Sequence, residues 1–137
     1  MKLSEAILLG STVVKNDRMT YLRIIDPECP EGCAIGTGLY AVGERLSPHG
    51  LCVFTTDEAM TTLYKHWPWT ERLSGKYHCK IPEGYIREIT IGEEISTRHV
   101  CGEPRESIAA WIASIEPQEA QVEQPQVSEV SPLVKAT

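Results

Sequence analysis

The residues able to hold a metal or attack a substrate are few: Cys29, Cys33, Cys52, Cys79 and Cys101, with His78 beside Cys79 and His99 just before Cys101. Zinc takes about four Cys, His or carboxylate ligands in tetrahedral reach, usually as two close pairs from two turns. Cys29 and Cys33 enclose Pro30 and Gly32, residues suited to a knuckle-like turn, and form the loose end of the usual pair spacing. Adjacent His78 and Cys79 would point to opposite faces of a strand, whereas His99 and Cys101 would face the same way. The metal set offered by the sequence is therefore Cys29, Cys33, Cys79, His99 and Cys101. Buried cysteines and surface imidazoles are the commoner roles for such residues, and the spacing favours those roles over zinc.

Cys33 has a separate reason for interest. It stands where a helix should begin, and the amides and dipole of a helix start favour a thiolate, the form that attacks carbon or disulfide. No histidine lies close by in sequence to serve as its base, and a redox pair would have two intervening residues rather than three. The neighbouring "GTGLYA" matches a dinucleotide-binding pattern at Gly36, Gly38 and Ala41, with Asp57 or Glu58 at the distance of the ribose-binding acid. That pattern needs a buried strand ending at its first glycine, and here a Pro-rich loop intervenes. The glycines are better explained as positions where another element packs very close. Trp67 and Trp69, flanking Pro68, would anchor a partner protein if exposed and would roof the core if not. Adjacent carboxylates such as Glu93 and Glu94 look like solvated or helix-end charge rather than an acid/base couple.

These residues must be positioned by a small set of elements. "KLSEAILLGS" predicts a helix capped by Ser4 and closed at Gly10. Residues 21–26 and 51–55 predict strands, and 33–42 a helix stopped by Gly43. Thr55 with Glu58 forms a capping box for a helix over 56–66, which Pro68 ends. Residues 76–81 and 84–91 predict two strands joined through Pro82, Glu83 and Gly84. "PRESIAAWIASIE" predicts the last helix, with Ile108, Trp111, Ile112 and Ile115 on one stripe. The fold class expected is α+β, with about four helices packed on a small, mainly antiparallel sheet.

A chain of 137 residues, 42% apolar and 23% charged, has room for one domain and one core. Residues 1–116 are expected to form it. Residues 117–137, rich in Pro, Gln, Glu, Ser and Val, lack the apolar surface to offset their ordering entropy and are expected to be a disordered acidic tail. The net charge of -6, with no basic stripe interleaved with aromatics, argues against nucleic acid or an anionic membrane as partner. An odd cysteine count without an export signal leads to an expectation of free thiols or metal-bound thiolates, and of a cytoplasmic protein.

Three blocks, "MKLSEAILLGS", "GCAIGTGLYAVG" and "EPRESIAAWIASIE", together resemble a group of small bacterial and phage-type proteins. The likeness covers roughly a third of the chain. It implies one small globular unit and carries no catalytic assignment. Some members of that group have a closer Cys pair and a His-rich turn that looks like a small zinc knuckle. In this chain the corresponding region offers Cys79, His99 and Cys101. The function expected is that of a non-catalytic accessory or regulatory protein that binds another protein. A zinc-stabilised module and a thiol enzyme centred on Cys33 are the alternatives.

Overall fold

In the computed structural model, residues 1–76 and 88–118 are described. Residues 119–137 of the segment expected as a tail, and most of the hairpin expected over 76–91, lie outside them. The elements run α1 (Leu3–Gly10), β1 (Lys15–Asn16), β2 (Leu22–Arg23), β3 (Glu31–Gly32), α2 (Ala34–Ala41), α3 (Thr56–His66), α4 (Trp69–Arg72), β4 (Ser74–Gly75), β5 (Ile89–Thr90), α5 (Ile91–Val100) and α6 (Arg105–Ile115). The class is α+β as expected, but the strands are shorter and the helices more numerous. β3 lies centrally, parallel to β1 and antiparallel to β2. β4 and β5 form a second, antiparallel pair.

Local chemistry explains most of these boundaries. Thr55 accepts from the Glu58 amide while the Glu58 carboxylate accepts from the Thr55 amide, so α3 begins with the expected reciprocal cap. Thr90 and Glu93 repeat the device at the start of α5. In α1 the cap assignment differs from expectation. The helix starts at Leu3, and Ser4 sits within it with its amide and hydroxyl directed to the Glu116 carboxylate.

All six helices contribute to one core cluster, in which Leu3, Ile7, Leu22, Ile35, Leu39, Leu63, Ile95, Ile108 and Ile112 are fully enclosed. Each such side chain stabilises the fold by about 1.5–3 kcal/mol relative to exposure. α2 is the innermost helix. A Cβ on Gly36 would stand 1.3 Å from the Tyr21 carbonyl oxygen, and one on Gly38 would stand 3.1 Å from Leu3 Cδ1. Both glycines are therefore close-packing positions, one against the backbone leading into β2 and one against α1. No described helix is long and apolar enough to cross a membrane.

Candidate functional site

Several polar side chains converge on the first turn of α2. Cys33 is the residue before the helix; its amide donates to the Thr20 carbonyl at 2.7 Å, and its carbonyl accepts from the Thr37 amide. The next amide, Ala34 N–H, donates to His99 Nδ1 at 2.9 Å, joining α2 to α5. One turn further, the Thr37 hydroxyl donates to the Cys33 carbonyl and accepts from Arg105 Nη1 at 2.9 Å. Arg105 also donates to the Val14 carbonyl at 2.7 Å, so its buried guanidinium ties α6 to α2 and to the chain leaving α1. A cavity of about 70 Å³ opens beside Cys33, lined by Arg18, Thr20, Tyr21, Ser96 and Val100. The Tyr21 hydroxyl and Ser96 Oγ stand 3.1 Å apart in one wall.

This geometry sets the protonation states. Burial pushes the Cys33 thiol up to about 11, outweighing the Gly36 and Ile35 amides that would favour a thiolate. The expected helix-start activation is present and loses to desolvation. Burial, reinforced by the nearby Arg105 and Arg18 charges, pushes His99 down to about 4, so its ring is neutral. Because Nδ1 accepts a hydrogen bond, the proton of that neutral ring is on Nε2. Nε2–H is then a buried donor with no hydrogen-bond partner among the described residues. It also has no lone pair to give to a metal in this tautomer, which removes His99 from the ligand set the sequence offered.

The other expected ligands are dispersed. Cys29 is exposed and lines a separate cleft with Arg23, Ile25, Asp26 and Glu31, whereas Cys33 is buried. Cys79 lies outside the described residues. Cys101 follows α5 as its C-cap and is disulfide-bonded, in departure from the free-thiol expectation. Among the described residues, no group of three or more His, Cys, Asp and Glu side chains could hold a metal ion. Trp67 and Trp69 are both buried, and Trp67 Nε1–H donates to the Met1 carbonyl at 3.0 Å. Their indoles roof the core.

Sequence reasoning missed two features. Glu94, read as solvated, is buried; its carboxylate accepts from the Lys76 amide and from Arg98 one turn on. The second is an apolar strip on the outer side of β2. Ile24 N–H donates to the Cys52 carbonyl and Phe54 N–H to the Leu22 carbonyl, forming an antiparallel bridge between Arg23 and Val53. Leu22 and Phe54 turn into the core. By the alternation of extended chain, Val53, Leu51 and Ile25 turn outward, and they are 39%, 57% and 72% exposed. Cys52, between Leu51 and Val53 in sequence, is exposed, and the Cys29 cleft, of about 290 Å³, includes Ile25.

The chain matches no protein family model, and no curated protein or solved structure is significantly similar to it.

Proposed function

We propose that this protein is a small accessory or regulatory protein that works by binding another protein through the outer strip of Ile25, Leu51 and Val53. The observation that carries this reading is the exposure of those side chains on two hydrogen-bonded segments, beside the Arg23–Glu31 ion pair. An apolar centre with a charged rim is the usual composition of a protein-binding patch. The outward edge of the 52–54 segment adds a backbone on which a partner strand could pair. The likeness to small bacterial and phage-type proteins accords with a role of this kind.

A thiol enzyme has less support, because a thiol that burial keeps protonated beside a neutral imidazole lacks activation. A zinc module has less support because His99 is engaged at Nδ1. The test is recovery of partners from a native extract by the intact chain and by an Ile25→Asp, Leu51→Asp double variant. Selective loss of the same partners from the variant is expected. Equal recovery would remove the strip from the argument, and stoichiometric zinc in chelator-free protein would restore the metal reading.

A further inference from the structure

The outer strip has a backbone side as well as an apolar one. The Arg23–Val53 bridge is bracketed by two hydrogen bonds, Ile24 N–H to the Cys52 carbonyl at 2.8 Å and Phe54 N–H to the Leu22 carbonyl at 3.0 Å. Residues facing each other in this part of an antiparallel ladder do not bond to one another, so the Val53 N–H and C=O point away from β2. Neither makes a hydrogen bond with any described residue. The groups on either side of them are already used. Leu51 N–H donates to Ser47 Oγ and its carbonyl accepts from the Ser47 amide. Thr55 N–H donates to the Glu58 carboxylate and its carbonyl accepts from the Ala59 amide. The other edge of β2 is filled by β3, so a further strand joining on this side meets one open donor and one open acceptor, both on Val53.

Charge selects the kind of strand. The turn after Ile25 is closed by Cys29 N–H donating to the Asp26 carbonyl at 2.9 Å, and it leaves Asp26 and Glu28 exposed. Asp26 lines the cleft that includes Ile25, together with Arg23 and Glu31. Arg23 is paired with Glu31 and faces Asp17 at 3.6 Å. Asp26 and Glu28 make no ion pair among the described residues, the Asp26 carboxylate accepting from the Glu28 amide. Lys15, the register partner of Glu31 on β1, is the other cation at this end of the sheet. Two cations against four carboxylates, Asp17, Asp26, Glu28 and Glu31, leave an acidic excess beside aliphatic side chains.

We propose that the strip takes an extended, basic segment of a partner protein, which adds to the sheet by pairing with the Val53 N–H and C=O. Its aliphatic side chains lie on Ile25, Leu51 and Val53, and a Lys or Arg reaches Asp26 and Glu28. This rests on the reading of the strip as the binding surface and specifies what occupies it. Main-chain pairing supplies affinity that is tolerant of sequence, while the side-chain contacts and the acidic end supply the selection.

The test pans random short peptides displayed on phage against the whole protein, then measures the enriched peptides in synthetic form by fluorescence polarisation. Alternating aliphatic residues with a flanking Lys or Arg are expected. Val53→Pro removes the outward N–H at an edge position where proline is tolerated, and binding at least about tenfold weaker is expected. Asp26→Asn with Glu28→Gln should weaken binding several-fold at low salt and little at high salt. N-methylation of the peptide amides one at a time tests the same pairing on the unaltered protein, and a loss confined to the residue opposite Val53 is expected. If Ile25→Asp with Leu51→Asp abolishes binding but no N-methyl peptide loses affinity, or the enriched peptides lack a cation, this inference falls and the strip reading stands. If that double variant binds the peptides as tightly as the parent, or no peptide is enriched, both fall.

Discussion

The Cys33 corner and the Ile25 strip share one stretch of chain yet invert the usual arrangement of a protein surface. Thr20 and Tyr21 turn their carbonyls inward to the Cys33 amide and the α2 backbone, and four residues later Ile25 stands in solvent. Inside are a thiol, an imidazole and a guanidinium; outside are aliphatic side chains. Burial holds the thiol and the imidazole uncharged. Residue type thus says little about role until the environment that sets its charge is known.

The sharpest way to break the corner is steric. Gly36→Ala places a methyl against the Tyr21 carbonyl, where backbone meets backbone and neither can yield. A loss of about 4 kcal/mol or more is expected in urea unfolding, enough to leave the chain largely unfolded. The same substitution should abolish binding at the strip only through unfolding, which circular dichroism would reveal.

Acid gives a graded version. His99 is neutral in the fold down to about pH 4, whereas the same residue in the unfolded chain takes a proton below 6.5. Stability from this group is therefore intact above pH 6.5, falls as pH drops towards 4 and then levels off, with a total near 3 kcal/mol. Denaturation midpoints measured across that window should slope in the parent and flatten in His99→Gln. Glu58, held down to about 2 by the Thr55 amide and His49, contributes in the same sense over a lower window: its stabilisation is present above pH 4.5 and lost towards 2.

Thiol labelling separates the two regions directly. At pH 8 the buried Cys33 should react more than about a hundredfold slower than an ordinary exposed thiol, as its shift to about 11 requires. Exposed Cys29 and Cys52 should label in the fast phase. Fast labelling of Cys33 in folded protein would revive the thiol-enzyme reading. The smallest effect belongs to the strip: Ile25→Ser with Leu51→Ser should change stability by no more than about 0.5 kcal/mol while removing partner capture.

Local signals in the sequence were reliable where a motif decided the structure. The Thr55–Glu58 box, the stop at Pro68 and the stripe of α6 all hold. The same box at Thr90–Glu93 is hidden because the β-branched residues of 84–91 read as a strand. Its structure is Ile91–Val100, a helix that delivers His99. The site was less legible for a physical reason. That Ala34 would donate to His99, 65 residues away, and so fix its tautomer, is set by packing between α2 and α5, which no local spacing encodes. The strip was likewise hidden, because a bridge of one residue pair leaves almost no period to detect. The glycines of α2 were readable as tight contacts, though not which backbone they met.

The clasp between Ser4 and Glu116 also governs how the molecule is made. α1 packs on α2 and α6, so it completes its burial only against a helix that is synthesised much later. At roughly 5–20 residues per second, the intervening chain takes on the order of 5–20 s to appear. Through that interval the apolar side of "LSEAILLG" waits on a partner not yet synthesised, and its burial is completed by α6.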